Sequence, residues 1–157
     1  MPGVPAESRS DINNDIYNYY DGVSYTNAML QYGGTFDNYV GLEISLYADW
    51  FNNYDDYKFY FGDRQLTAYV GSTGEWMELS NNYSRVVEVL KMIGMEFRYT
   101  NKSNVSTFWT SCQRADEPQR AYACWYYPGD WMVGFANYEK STHDDINGPY
   151  IKMFYKL

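Results

Sequence analysis

One histidine, two cysteines and two pairs of adjacent aspartates are the residues of this chain whose types could support covalent or acid–base chemistry. His143 lies in the run STHDDINGP, beside Asp144 and Asp145 and two residues after Ser141. That set suggests a Ser-His-Asp hydrolase, but a triad draws its members from separate elements that converge, which sequence neighbours do not supply. No G-x-S-x-G elbow is present. Read as a calcium loop starting at His143, the run places Asp145, Asn147 and Gly148 well. It puts His143 and Phe154 where the acidic first ligand and the bidentate Glu belong, so the charge needed to hold the cation is missing. Cys112 and Cys124 could pair across a hairpin or stand as two half-buried thiols. They cannot form a zinc site, because no second pair of Cys or His completes four ligands. Asp55-Asp56 and Asp144-Asp145 are adjacent, so their carboxylates point apart and suit solvated turns. No glycine-rich phosphate loop occurs. The expectation is a protein with no catalytic or metal centre.

The chemistry that stands out is phenolic. The chain of 157 residues carries 19 Tyr beside 8 Phe and 5 Trp. Tyr combines a large apolar face with a hydroxyl that donates and accepts, which suits protein interfaces. Clusters stand at Tyr17, Tyr19 and Tyr20, at Tyr54, Tyr57 and Tyr60, and at Tyr126 and Tyr127. Cross-strand packing explains part of this usage. Runs such as Trp125-Tyr126-Tyr127 point to both faces of a strand, so both faces must be covered. A second copy of the chain is the expected second cover.

The length suits one domain that can bury a core. A net charge of −8, with the 12 Lys and Arg scattered, argues against a nucleic-acid polymer or an anionic membrane as partner. No stretch approaches the ~20 apolar residues of a membrane span. The segment MPGVPAESRSD has no apolar core of a signal peptide, predicting a reducing compartment with free thiols. The sequons at Asn82, Asn101 and Asn104 are then chance matches.

The elements that would position these residues read as follows. SRSDINNDIYNYYDG predicts a short helix capped by Ser8 or Ser10 and ended by Gly22, with Ile12, Ile16 and Tyr20 on one narrow face. It forms an arm over 1–22 that could dock on a neighbour. In YVGLEISLYADW, Val40, Leu42, Ile44 and Leu46 alternate with Gly41, Glu43, Ser45 and Tyr47, predicting a strand. Asn52, Asn53, Asp55 and Asp56 predict a loop, YKFYF and QLTAYV short strands, and Gly71 to Gly74 a turn. NNYSRVVEVLKMIG predicts a helix stopped by Gly94. Strands are expected around Met95 to Tyr99 and in VSTFWTSC, AYACWYY, WMVGFANY and YIKMFYKL. The expectation is a mainly β fold: a jelly-roll-like β-sandwich body over 23–157, one short internal helix and the N-terminal helical arm.

The order and texture of these segments resemble the cypovirus polyhedrins, the matrix proteins of the crystalline occlusion bodies that protect insect virus particles. The resemblance rests on the Tyr-studded first helix, the VGLEISLYADW segment, the Asn/Asp-rich turn region, the helix YSRVVEVLKMIG and the aromatic tail DINGPYIKMFYKL; the chain would be a short member. It implies a β-sandwich body whose N-terminal helical arm clasps neighbouring trimers, with Ile12, Ile16, Tyr17 and Tyr20 as the clasp face. It also implies self-assembly into a lattice around embedded virus particles, in occlusion bodies of the host-cell cytoplasm. No cofactor is required; a nucleotide trapped between subunits is implied by the family, and no motif places it. The phenols supply a release mechanism. A buried Tyr ionises above the ordinary value of about 10, so a lattice of covered phenols is stabilised below that pH and loses the stabilisation above it. Full ionisation would add nineteen negative charges to a chain already at −8. Tyr19, Tyr54, Tyr57, Tyr60, Tyr126 and Tyr127 are the expected alkaline-switch residues.

Three rival readings stay open. A viral capsid or spike β-sandwich would form closed shells or soluble oligomers. A carbohydrate- or ligand-binding β-sandwich would use Trp125 and Trp131 as stacking platforms. A hydrolase would depend on Ser141, His143 and an Asp.

Overall fold

The computed structural model describes residues 6–7, 19–32, 39–94, 106–114, 117, 119–126, 133–140 and 149–156. Their order is β1 (Ala6–Glu7), α1 (Gly22–Tyr32), α2 (Tyr39–Asn53), a 3-10 turn (Asp55–Tyr57), β2 (Tyr60–Phe61), β3 (Arg64–Gln65) and β4 (Thr67–Val70). Then come α3 (Thr73–Asn81), α4 (Tyr83–Met92), β5 (Ser106–Arg114), β6 (Arg120–Tyr126), β7 (Val133–Glu139) and β8 (Met153–Lys156). A four-stranded sheet runs β1-β5-β6-β7, beside two two-stranded sheets, β2-β3 and β4-β8. Helices and strands thus share the described residues in small sheets, and none of these closes into a barrel. The expected mainly β sandwich is corrected to a mixed α and β architecture.

The largest single correction is α2. The segment read as an alternating strand is a helix of 15 residues. Its period-2 pattern contains a second set, Val40, Ile44 and Ala48, spaced four apart. These three are 2%, 0% and 0% exposed, whereas Leu46 of the alternating set is 46% exposed. Burial therefore follows the helical period. Asn52 and Asn53, expected in a loop, are its last turn.

Gly22, expected to end a helix, begins one. The Asp21 carboxylate accepts from the Ser24 backbone N–H at 3.1 Å, and the Asp21 carbonyl accepts from Tyr25 N–H at 3.1 Å, which is N-cap geometry. Those Ser24 hydrogen bonds hold the Asp21 carboxyl below its ordinary value. The expected turn at Gly71 to Gly74 is a second helix start. Ser72 and Glu75 form a capping box on α3. The Glu75 carboxylate accepts from Ser72 N–H at 2.7 Å, from Ser72 Oγ at 2.8 Å and from Gly22 N–H at 3.2 Å. One carboxylate thus sits at the start of both α1 and α3, where unpaired N–H groups and the helix dipoles favour it. Gly22 is required for this approach, since a Cβ there would collide with Glu75 and with the Val70 carbonyl.

Of the expected strand YKFYF only Tyr60–Phe61 forms, since Tyr57 closes the 3-10 turn; other expected elements form. Helix α4 matches its prediction and is followed by Gly94 at φ +73°. Strands β5, β6, β7 and β8 lie where the sequence places them. The predicted strand around Met95 to Tyr99 and most of the predicted N-terminal helix lie outside the described residues. Tyr19 and Tyr20, at its end, are not helical.

The core has two sides divided by β5 and β6. On one side Trp109, Ala121 and Ala123 pack with Met29 of α1, Val40 and Ile44 of α2, and Val70 of β4. On the other, Phe108, Cys124 and Tyr126 pack with Trp76 of α3. Trp76 stacks on Phe108 at 5.5 Å between ring centroids and meets Phe154 edge-on at 4.9 Å. Both faces of the sheet are covered, as the Trp125-Tyr126 run predicts. The covers over β5 and β6 are the chain's own elements, α1, α2 and β4 on one side and α3 and β8 on the other, where a second copy was expected.

Candidate interaction surface

The final turns of α2 present aromatic residues at helical spacing, Tyr47, Trp50 and Phe51, and Tyr54 follows the helix directly. The backbone then folds back through the 3-10 turn, where Tyr57 N–H donates to the Tyr54 carbonyl at 2.9 Å, into the β2-β3 hairpin with Gly62 at φ +60° in its turn. The hairpin is pinned to the helix end, since Gln65 Nε2 donates to the Asn52 carbonyl at 2.8 Å.

This packing gathers the rings into one face. Tyr47 meets Trp50 at 5.5 Å and Trp50 stacks on Tyr57 at 6.5 Å. Phe51 meets Tyr57, Phe59 and Tyr155 at 6.0, 6.3 and 6.3 Å. Phe59 and Tyr155 lie 4.8 Å apart. Tyr47, Trp50, Tyr54, Tyr57, Phe59, Tyr60 and Phe61 are all exposed, Phe61 to 70%. Four exposed rings in one chain of contacts, Tyr47, Trp50, Tyr57 and Phe59, with three more exposed rings in the same segment, exceed the isolated apolar residues that an ordinary surface carries. The arrangement can bury apolar area against a partner while each phenol finds a hydrogen bond there.

Of the expected alkaline-switch residues, Tyr57 belongs to this chain of rings, and Tyr54 and Tyr60 are exposed in the same segment. Tyr126 is fully buried in the Trp76 cluster and Tyr19 packs on Cys112 and Tyr122, so those two serve the chain's own interior. Tyr127 lies outside the described residues, as do Ile12, Ile16 and Tyr17 of the expected arm; Tyr20 is exposed. Two tyrosines not singled out in the sequence have raised ionisation. Burial, then the Glu75 charge and a hydrogen bond to it, pushes Tyr69 up. Burial pushes Tyr155 up to about 12. The face itself was half legible: Tyr47, Trp50 and Tyr54 keep helical spacing, but that signal is lost once the segment is read as a strand.

The other chemical candidates separate. Ser141, His143, Asp144, Asp145 and Trp131 lie outside the described residues. Trp125 is half-buried, with its indole across Gly134 of the paired strand, so it offers no open stacking platform. Cys112 and Cys124 are both buried free thiols, not a disulfide. Burial raises the Cys124 thiol well above its ordinary value. Lys140 and Lys152 are lowered to about 8 by burial. The Lys140 ammonium donates to Gln113 Oε1 at 2.5 Å, and Lys152 lies 4.9 Å above the Phe108 ring. Among the described residues no group of three His, Cys, Asp or Glu could hold a metal ion, and no helix is long and apolar enough to cross a membrane. Compared with protein-family models, curated proteins and solved structures, the chain matches none.

Proposed function

We propose that this chain is a structural, non-catalytic protein that assembles with copies of itself through its exposed aromatic face. In the finer form implied by the polyhedrin resemblance, the assembly is the crystalline matrix of cytoplasmic viral occlusion bodies, enclosing virus particles and dissolving in alkali. The observation that carries the reading is the set of seven exposed aromatic side chains between Tyr47 and Phe61, of which Tyr47, Trp50, Tyr57 and Phe59 are joined in one chain of ring contacts through Phe51. The sandwich body that the resemblance implies gives no support, since the described residues adopt another architecture. The phenols of Tyr54, Tyr57 and Tyr60 fit a contact that is stable while they are protonated. Covered by a neighbour, a phenol resists ionisation, so the contact holds below its pKa and is lost as pH rises through it.

The test is expression of the chain alone in insect cells, followed by microscopy and by sedimentation of the purified protein. Faceted intracellular particles that dissolve only at strongly alkaline pH are expected. A triple Tyr54→Phe/Tyr57→Phe/Tyr60→Phe variant should assemble and dissolve at higher pH. A wild-type chain that stays monomeric at all concentrations would refute assembly, and an unchanged dissolution pH in the triple variant would refute the phenol mechanism.

A further inference from the structure

Among the described residues, Lys140 is the one ionisable side chain of a charged type that is buried, and Gln113 is the one buried side-chain amide. They are 3% and 6% exposed, and they touch: Lys140 Nζ lies 2.5 Å from Gln113 Oε1. We propose that this pair closes an intramolecular isopeptide bond, from Lys140 Nζ to Gln113 Cδ, with release of ammonia. Such a bond needs no second copy of the chain.

The sheet holds both ends of the pair. Gln113 of β5 stands opposite Ala121 of β6, and Ala121 stands opposite Tyr138 of β7. Side chains of one cross-strand row share a face of the sheet. Lys140 follows Tyr138 by two residues, and its backbone is held on both sides. Its N–H donates to the Gln119 carbonyl at 2.8 Å, and its carbonyl accepts from Val40 N–H at 3.1 Å. Strand β6 lies between β5 and β7, so the lysine stem crosses it to reach Gln113. The middle residue of the row is Ala121, whose side chain is a single methyl. An amine and an amide fixed against each other in this way meet without a search, which is the largest part of the barrier to joining two groups.

Burial supplies the reactivity. The Gln113 amide is neutral, so its contact does not balance an ammonium, and burial lowers Lys140 to about 8. A neutral amine with a free lone pair is thus present well below the ordinary lysine value, the condition for a nucleophilic lysine. The lone pair attacks the side-chain carbonyl carbon of Gln113. The new C–N bond forms, the bond from that carbon to Nε2 breaks, and the proton given up by Lys140 leaves on this nitrogen as ammonia. An amine and a primary amide become a secondary amide and ammonia, with no oxidant or reductant consumed. The product buries a neutral amide where the open pair buries an ionisable group. In chains that have closed the bond Lys140 no longer titrates; the value of about 8 belongs to the open pair.

The cross-link ties β5 to the end of β7 across a separation of 27 residues. It removes freedom from the unfolded chain that the folded chain does not use, which suits a protein whose role is to last.

The test is the intact mass of the purified full chain in denaturant, before and after incubation for days in mild alkali. The expected mass is lower than that of the sequence by one ammonia, in a fraction that grows with time. In that fraction trypsin should no longer cut after Lys140, and tandem mass spectrometry should place Gln113 and Lys140 in one branched peptide. Lys140→Arg, which keeps a cation and its donors, and Gln113→Leu should both keep the full mass. An ammonia lost elsewhere, as when an asparagine cyclises, would leave Lys140 cleavable and would persist in both variants. A wild-type chain that keeps its full mass, or that loses ammonia while Lys140 stays cleavable, would overturn the proposal and leave the pair as a buried hydrogen bond. Neither result bears on assembly, which sedimentation reads separately.

Discussion

The side-chain amide of Asn52 holds both backbone groups of Ala68: its Nδ2 donates to the Ala68 carbonyl at 2.8 Å and its Oδ1 accepts from the Ala68 N–H at 2.7 Å. Two residues along, Thr26 does the same for Val70, with Oγ1 accepting from Val70 N–H at 2.9 Å and donating to its carbonyl at 3.4 Å. Strand β4 pairs with β8 along one edge. Side chains from α1 and α2 occupy the other, so the edge is closed without a third strand. Asn52→Ala should leave both Ala68 groups without these partners and cost about 1–3 kcal/mol of unfolding free energy in urea titration. Asn52→Asp, which keeps only an acceptor, should retain part of that. A loss within about 0.5 kcal/mol for the alanine variant, the range of an ordinary surface substitution, would count against the edge role.

Glu75 at the joint start of α1 and α3 makes a second prediction. Gly22→Ala should destabilise by about 1–3 kcal/mol, as overpacking does, because the added methyl meets the Glu75 carboxylate and the Val70 backbone carbonyl. Ser72→Ala should cost about 1 kcal/mol through loss of the cap. Thermal unfolding of the two variants measures both. Equal stability of Gly22→Ala and wild type would show that the approach is not tight in solution.

Stability should pass through a maximum in mild alkali. Lys140 and Lys152 have folded-state values of about 8, below the ordinary lysine value. Between about pH 8 and 10.5 the unfolded chain binds protons that the folded chain has released, so stability rises with pH there and its gain is lost as pH falls through 8. Cys124, Tyr69 and Tyr155 act oppositely. Their folded values are raised, Tyr155 to about 12, so their contribution is intact below the unfolded values and fades above them. Urea midpoints measured from pH 7 to 12 should peak at about pH 9–10. Lys140→Met should flatten the rising limb, whatever it does to the absolute stability. A midpoint that falls steadily from pH 7 would contradict the assignment.

The buried and exposed aromatics should separate stability from assembly. Trp76→Ala should cost about 3–5 kcal/mol, since the ring is fully buried between Phe108 and Phe154. Phe61→Ala should change unfolding free energy by less than about 0.5 kcal/mol, yet weaken self-association. Chemical denaturation of both, with sedimentation of the second, checks the pair.

The two thiols provide a simple readout of the fold. Cys112 and Cys124 are 1% and 0% exposed, and burial disfavours the Cys124 thiolate. Neither should react with a disulfide reagent in native buffer at pH 8, and both should react in denaturant. Rapid labelling of the native protein would show that the β5-β6 core opens readily.

The sequence by itself determined the elements whose signals are local. The AYACWY run of β6 is apolar on successive residues and becomes a strand buried on both faces. Helix α4 and its Gly94 stop are likewise written in a short stretch whose period and breaker agree. The capping box at Ser72 and Glu75 was also legible, as an S-x-x-E pattern, but the glycines at 71 and 74 favoured a turn reading. Segment 39–53 could not be decided locally, because Val40 and Ile44 belong to both a two-residue and a four-residue repeat. Only packing against Met29, Val70 and Trp109 selects the helix. The aromatic face depends on that choice: as a strand the segment would send Tyr47 and Trp50 to different faces, and as a helix it brings them together with Tyr57 of the following turn. Composition announced an excess of tyrosine. Among the described residues the tertiary structure buries Tyr69, Tyr122 and Tyr126 and leaves Tyr47, Tyr54, Tyr57 and Tyr60 exposed, because burial is settled by which elements meet, and those contacts join residues far apart in the chain.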